Sequence, residues 1–252
     1  MKYGTEICPI LKKDVLGGNC FDVTVRSEKL APLARPGQFA QILVPGRTLR
    51  RPISICGAGK DTLRFVIQVR GAGTEILSHL EPGDMLDLLA PLGNGFPLDV
   101  PAKRAAFVGG GIGTPPLLGA AAAFPGEKLA VLGFRTKEAV ILARDFRATG
   151  CDTRIATDDG TCGTHGLVTA VLEKETFDVC YACGPAPMLK AVAALCGARG
   201  VPCFVSLEQR MACGVGACLG CAVALRRPDG SAYYGHVCKD GPVFRAEDVV
   251  FA

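Results

Sequence analysis

The sequence predicts an α+β chain of several domains: an antiparallel β-barrel, an α/β unit with a parallel sheet, and a small C-terminal unit. Three observations predict it. Residues 1–100 show short alternating strands between turns, residues 101–206 alternate strands with helices, and residues 207–252 have little periodicity but hold clustered cysteines. Short strands punctuated by Gly and Pro are typical of small barrels, and strand–helix alternation is typical of a parallel sheet covered on both faces. We therefore expect three domains with these limits.

In the first domain, apolar residues 21, 23 and 25 alternate with polar neighbours, and residues 63–69 repeat the pattern of a half-buried strand. Gly-Gly and Pro-Gly pairs separate these runs as turns. One helix is expected near residues 74–80. In the second domain, the predicted strands and helices alternate, with strands at 105–108, 129–134, 152–157, 178–182 and 202–206, and helices after Gly113, after Gly166 and at 187–198.

The composition excludes several classes of protein. Hydrophobic residues make up 49% and charged residues 21%, as in an ordered globular chain, and the net charge of +4 is spread without a dense basic face for nucleic acid. The longest apolar stretch, residues 117–124, is too short to cross a membrane. The first 16 residues mix Lys and Glu and do not read as an export signal. We therefore expect a cytoplasmic protein whose cysteines outside the C-terminal group, such as Cys180, Cys196 and Cys203, are buried core residues.

The C-terminal cysteines form the most specific motif. Cys213, Cys218 and Cys221 have the spacing Cys-x4-Cys-x2-Cys, and Cys238 follows seventeen positions later. This spacing is typical of a plant-type [2Fe–2S] cluster held by four thiolates. A zinc site with four cysteines usually shows two Cys-x2-Cys pairs, and only one is present. Four inert buried thiols within 26 residues would be a coincidence. We expect Cys213, Cys218, Cys221 and Cys238 to be the cluster ligands.

A glycine-rich turn lies where a strand meets a helix in the second domain. Gly109-Gly110-Gly111-Ile112-Gly113-Thr114 precedes a helix with Pro115 and Pro116 in its first turn, the context of a dinucleotide-binding turn. A tight turn without a ligand is the alternative. Cys183-Gly184-Pro185 ends a later strand of the same sheet, and ligands bind at such carboxyl ends. The candidate nucleotide contacts are Gly109, Gly110, Gly111, Gly113, Thr114, Cys183, Gly184 and Pro185, with a structural role for Cys183 equally open.

Arg51-Pro52-Ile53-Ser54 is weak as an isolated motif, but Gly71-Ala72-Gly73-Thr74 follows about twenty residues later and opens the predicted helix. The Arg could pair with a phosphate as a charge-assisted donor, and the Ser hydroxyl could bond a flavin ring. The N-terminus of the helix would favour a pyrophosphate.

These motifs, in this order, resemble the ferredoxin–NADP reductase superfamily. More narrowly, the chain resembles the electron-transfer subunits of the NAD-dependent (class 1B) dihydroorotate dehydrogenases. The narrower resemblance rests on four segments and covers essentially the whole chain; they are residues 206–221, 237–244, 157–160 and 166–169.

The resemblance implies an oxidoreductase subunit of pyrimidine biosynthesis that binds FAD, one [2Fe–2S] cluster and NAD. Its partner would be an FMN-containing catalytic subunit, two of each forming a heterotetramer, with no nucleic acid or membrane involved. Dihydroorotate would be oxidised to orotate in the partner, and electrons would pass from its FMN through the cluster and FAD to NAD⁺. No residue of this chain would act as a general base. By position, the FAD contacts would be Arg51, Pro52, Ile53, Ser54, Val66, Ile67, Gln68, Gly73 and Thr74.

Two alternatives stay open at this point. One is a self-contained ferredoxin-type NAD(P)H reductase that serves another acceptor, and the other is a non-catalytic redox or zinc module. The choice of nucleotide also leaves a disagreement, because no acidic residue stands where a ribose hydroxyl would usually be bound. Arg135 and Lys137 lie there instead and would suit a 2′-phosphate, whereas the resemblance implies NAD. We expect NAD.

Overall fold

The computed structural model describes residues 3–251, which form a barrel, a seven-stranded sheet and a small C-terminal hairpin. The barrel contains β1 (Gly4–Leu16), β2 (Cys20–Arg26), β3 (Phe39–Ile42), β4 (Arg51–Ala58), β5 (Thr62–Gln68) and β6 (Met85–Leu92), with helix α1 (Ala72–Ser78) between the last two. The middle of the chain adds β7 (Arg104–Gly110), α2 (Pro115–Ala123), β8 (Glu127–Phe134), α3 (Ala143–Ala148), β9 (Asp152–Thr157), β10 (Thr164–His165), α4 (Val168–Leu172), β11 (Val179–Cys183), α5 (Ala186–Ala198) and β12 (Cys203–Ser206). The C-terminal segment adds β13 (Ala222–Arg226), β14 (Ala232–His236) and β15 (Val243–Arg245).

The barrel closes in the order β1-β2-β5-β4-β3-β6, with every neighbouring pair antiparallel. Alternate side chains point inward, so Ile42, Leu63, Phe65 and Leu88 are fully buried in its core. Each such side chain contributes about 1.5–3 kcal/mol by leaving water. The predicted barrel is confirmed. Helix α1 begins two residues earlier than expected because the Thr74 hydroxyl accepts backbone N–H groups before it and closes its first turn.

The sheet runs β10-β9-β8-β7-β11-β12-β15, and its first six strands are parallel. Side chains alternate between two covered faces, α2 and α3 packing on one and α4 and α5 on the other. The chain adds β8 to one side of β7 and β11 to the other. The carboxyl ends of β7 and β11 therefore form a switch point, where open α/β sheets bind ligands. The predicted α/β domain is confirmed.

After residue 100, the sequence pattern did not predict α3, β10, β13, β14 or β15. Helix α3 is only six residues long, and β15 joins the sheet as an antiparallel edge beside β12. The cysteine-rich segment thus extends the neighbouring sheet. The domain limits at residues 100 and 206 stay a prediction.

The barrel and the sheet are joined by specific contacts. Arg64 of β5 pairs with Asp22 of β2 and, at 2.6 Å, with Asp145 of α3. The Tyr181 hydroxyl of β11 donates to the Pro97 carbonyl at 2.7 Å. These contacts fix the barrel on the α2–α3 face of the sheet, next to the switch point. Within residues 3–251 no helix has the length and apolar character that a membrane crossing requires.

Candidate cofactor sites

A cavity of about 900 Å³ opens between the barrel and the switch point of the sheet. Its sheet side is formed by residues 110–113 of the glycine turn and by Gly184 and Pro185 after β11. Residues 68–70 form part of its barrel side. The structure therefore brings most of the predicted nucleotide contacts together around one space that is large enough for a dinucleotide.

Glycine is required here because two turns touch. A Cβ added to Gly113 would lie 2.5 Å from the Cys183 carbonyl oxygen, and one on Gly110 would lie 2.9 Å from the Pro185 ring. Gly111 has a φ of +52° and open space around it. Gly109 and Thr114 lie beneath the turn and are not on the cavity wall, and the buried Thr114 hydroxyl has no hydrogen-bond partner among residues 3–251.

We expect Gly113→Ala to destabilise the chain, because the new methyl group would collide with backbone rather than with a movable side chain. Overpacking of this kind typically costs about 1–3 kcal/mol, which lowers the melting temperature by several degrees in a chain of this size. Thermal unfolding of the purified chain measures the change. Gly197→Ala in α5 is the matched control, since its Cβ meets no atom within 4 Å and Ala is the better helix former. Equal melting temperatures for Gly113→Ala and wild type would contradict the contact.

A second cavity, of about 250 Å³, adjoins the first, and seven of the nine predicted flavin contacts line it. Residues 51–54 of β4 form one wall with Val66, Gln68 and Thr74, and Cys183 closes the sheet side. Ile67 is not on the wall: strand alternation turns its side chain into the barrel core, where it is 1% exposed. A side-chain contact from Ile67 to the flavin is therefore ruled out.

Arg51 lies at the edge of this cavity, where Gly73 leaves room for its side chain. A Cβ on Gly73 would lie 2.6 Å from Arg51 Nε, so only glycine lets the guanidinium lie against the first turn of α1. Arg51 also donates to the Leu49 carbonyl at 2.9 Å, which fixes its direction. The guanidinium thus lies at the edge of the smaller cavity, against the first turn of α1.

Four residues line both cavities and mark where they meet; they are Gln68, Arg70, Ile112 and Glu208. Burial raises the pKa of the nearby Cys183 thiol to about 12, with the Glu208 carboxylate adding to the rise and a hydrogen bond with Ser206 opposing it. Cys183 therefore stays a neutral thiol at physiological pH. Glu208 and Asp158 both line the larger cavity. They were not among the predicted contacts, because the segments 206–221 and 157–160 do not show which carboxylates tertiary packing brings to a wall.

The four C-terminal cysteines lie in two pairs. Cys221 Sγ is 3.3 Å from Cys238 Sγ, and the Cys218 backbone N–H donates to Cys213 Sγ at 3.4 Å. Among residues 3–251, no three of these four sulfurs lie within 4.8 Å of one another. One tetrahedral zinc would need all four about 3.8 Å apart. Two pairs instead suit two irons.

The loop around these thiols is built for a negatively charged group. Gly214 and Gly216 have positive φ values of 72° and 80°, whereas Gly220 does not adopt a positive φ. Gly216 N–H donates to Cys238 Sγ at 3.2 Å. Burial alone would raise the pKa of Cys213, but backbone N–H groups, chiefly that of Val215, outweigh it and lower the pKa to about 6. These thiols and N–H donors fit a [2Fe–2S] cluster.

A separate group of three cysteines lies outside the C-terminal segment. Cys180, Cys196 and Cys203 have sulfurs within 4.8 Å of one another, inside the apolar core between the sheet and α5. No His, Asp or Glu in the described part of the chain joins them as a fourth ligand.

Comparison with known proteins bears on this geometry. The chain is 44% identical, over 98% of its length and 99% of the relative's, to the electron transfer subunit of dihydroorotate dehydrogenase B (NAD(+)) of Geobacillus thermodenitrificans (strain NG80-2). The chain belongs to this family of electron transfer subunits. The corresponding protein of Bacillus mycoides (strain KBAB4) is 38% identical over 96% of both chains. Residues 208–250 match the model of the iron–sulfur cluster binding domain of dihydroorotate dehydrogenase B.

Solved structures extend the comparison to the fold. An NADH-dependent reduced ferredoxin–NADP oxidoreductase, described for flavin-based electron bifurcation, superposes with a TM-score of 0.87 at 32% identity, covering 98% of this chain and 91% of that one. The Amycolatopsis cytochrome P450 reductase GcoB gives a TM-score of 0.66 at 21% identity over 78% of this chain and 67% of that one, which shows the shared fold alone.

Proposed function

We propose that the chain is the electron transfer subunit of a NAD-dependent dihydroorotate dehydrogenase. It takes electrons from the FMN of a separate catalytic subunit and delivers them to NAD⁺, while the partner oxidises dihydroorotate to orotate in pyrimidine biosynthesis. The observation that carries the proposal is the order of the three sites. Phe39 packs with Cys221 and Cys238 and also lines the smaller cavity, and Glu208 lines both cavities. The three sites therefore lie in the order cluster, smaller cavity, larger cavity.

When bound, the cluster would carry single electrons, and FAD would combine two of them with one proton from solvent to supply a hydride to the nicotinamide. The chain's residues bind and orient. We propose that Arg51 binds the FAD pyrophosphate and that the Ser54 hydroxyl bonds the flavin ring. Cys183, as a neutral thiol, would close the wall against water without placing a charge beside the nicotinamide. No residue of the chain is proposed as a general base.

Asp158 supports NAD as the nucleotide. It follows β9 at the end of the sheet and lines the larger cavity together with Arg135. We propose that its carboxylate accepts a hydrogen bond from an adenosine ribose hydroxyl, the role for which the sequence offered no obvious residue. A carboxylate at this position would repel the 2′-phosphate of NADP. Without it, Arg135 and Lys137 would attract that phosphate.

We expect Asp158→Ser to raise the NADP⁺-to-NAD⁺ ratio of kcat/KM by about tenfold, since removing a like charge a few ångströms from the 2′-phosphate is worth roughly 1–4 kcal/mol at an exposed site. Steady-state assays with both nucleotides measure the ratio. Asp159→Asn is the matched control, because the Asp159 carboxylate accepts the Thr161 N–H at 3.0 Å and does not line the cavity. The same ratio in Asp158→Ser as in wild type would remove Asp158 from the ribose site.

The proposed function is tested by anaerobic co-purification with an FMN-containing catalytic subunit, followed by assay of dihydroorotate-dependent NAD⁺ reduction. We expect a complex of two copies of each subunit that carries FMN, FAD and iron. The likeness to the ferredoxin–NADP oxidoreductase favours a second candidate, a reductase subunit serving another acceptor. A chain that holds FAD and cluster but gains no dihydroorotate-dependent activity from any such partner would favour that candidate. We propose a cytoplasmic location. The thirteen cysteines, none of which forms a disulfide within residues 3–251, support it.

A further inference from the structure

Gln41 is a buried polar side chain with an unexplained amide. It is 0% exposed, and neither its Nε2 nor its Oε1 has a hydrogen-bond partner among residues 3–251. An unpartnered buried amide is costly, and native structures rarely keep one without a ligand or a functional reason. No atom of the described residues hydrogen-bonds to the Gln41 amide, so we look for its partner in a bound group.

The barrel turns Gln41 toward the cluster loop. On β3, Ala40 and Ile42 belong to the barrel core, so Phe39 and Gln41 point to the other side of the strand. Phe39 packs in one apolar cluster with Cys221 and Cys238. Gln41 thus faces the same C-terminal segment as Phe39.

Gly214 lies directly against the Gln41 side chain. A Cβ on Gly214 would lie 2.7 Å from Gln41 Cγ and 2.8 Å from Nε2. Gly214 follows Cys213 and has a φ of +72°, so glycine is needed both for the turn and for this close approach. The amide nitrogen thereby lies against the residue that follows the first cysteine of the cluster motif, and it makes no hydrogen bond to a cysteine sulfur of the described residues. The Cys213 sulfur accepts the N–H groups of Val215 and Cys218.

Gln41 also borders the flavin side. In the sheet register it stands opposite Pro52, within the 51–54 segment that lines the smaller cavity, although Gln41 itself is not on that cavity's wall. The side chain therefore lies on the barrel wall between the two sites, with its amide against the cluster loop.

We propose that the Gln41 side-chain amide donates a hydrogen bond to a sulfur on the Cys213 side of the [2Fe–2S] cluster and so sets its reduction potential. The inference rests on the proposed function for the presence of the cluster. N–H donors stabilise the sulfur charge that increases when the cluster accepts an electron, which raises the potential. Gln41 is a positioning and tuning residue, and no bond is made or broken at it.

The test is an EPR-monitored redox titration of the isolated chain carrying FAD and cluster, which needs no partner subunit. Gln41→Leu removes the donor while keeping bulk in the buried site. We expect the cluster's reduction equilibrium to fall by about tenfold, which is about 59 mV for one electron, with the FAD potential unchanged and a shifted EPR line shape. Gln41→Met is the second variant if Gln41→Leu does not fold.

Gln38→Leu is the matched control, since the Gln38 amide already has a partner in the protein, the Gly93 carbonyl at 2.7 Å. An unchanged cluster potential in a fully loaded Gln41 variant would overturn the inference, and so would a shift confined to the flavin or one matched by Gln38→Leu. Absence of a cluster from the wild-type chain would instead overturn the ligand assignment, and the proposed function with it.

Discussion

Replacing Cys221 with alanine is expected to abolish the cluster. Cys221 is 1% exposed and its sulfur lies 3.3 Å from that of Cys238, so its loss leaves one iron without half of its thiolates. Changing residues that only support metal ligands typically costs 10–100-fold, so losing a ligand is expected to lower dihydroorotate-dependent NAD⁺ reduction by at least about 100-fold. NADH-dependent reduction of a dye that accepts electrons from the flavin should persist, because neither cavity includes Cys221.

Iron content and the EPR signal of the reduced cluster measure the effect. Cys196→Ala is the matched control: it removes a thiol that is 0% exposed from the core between the sheet and α5 and should leave both iron and EPR signal intact. A full cluster signal in Cys221→Ala would refute its assignment as a ligand. The same expectation applies to Cys213, Cys218 and Cys238.

Arg51→Ala is expected to release FAD. The guanidinium stands at the edge of the smaller cavity, held against α1 by Gly73, and a hydrogen bond to a charged group contributes about 1.5–3 kcal/mol. The Kd for FAD should therefore rise by about 10–150-fold, measured by flavin fluorescence during titration of the flavin-free chain.

Arg47→Ala is the control for charge alone, because Arg47 is exposed in the loop before β4 and lines neither cavity. A Kd for Arg51→Ala equal to that of Arg47→Ala would exclude Arg51 from the flavin site. Cys221→Ala and Arg51→Ala therefore test the cluster site and the flavin site independently.

The sequence identified features that are coded locally. The cysteine spacing lies largely within one loop, and strand alternation depends on neighbouring residues, so the barrel strands and the parallel strands were both predictable. The glycine turn was also found, although its packing against Cys183 shows that Gly113 serves the fold as well as any ligand.

Features that depend on tertiary contact could not be predicted. Asp158 and Glu208 lie in two of the segments that carry the family resemblance, but those segments do not show that either carboxylate reaches a cavity wall. Gln41 has no motif around it, and each of the three gains its meaning from a neighbour distant in sequence. Ile67 was grouped with Val66 and Gln68 by position, yet strand alternation sends its side chain inward. Strand β15 pairs with β12, about forty residues earlier in the chain, and its three residues carry too little pattern to reveal that pairing.

The central claim is that electrons from the partner's FMN pass through this chain's cluster on their way to NAD⁺. The most direct measurement is the EPR spectrum of the reconstituted complex after dihydroorotate is added anaerobically without NAD⁺. We predict a reduced [2Fe–2S] signal that disappears when NAD⁺ is then added in excess, and no such signal with Cys221→Ala. Reduction of NAD⁺ by dihydroorotate at the wild-type rate in the Cys221→Ala complex, with no cluster signal at any stage, would contradict the account.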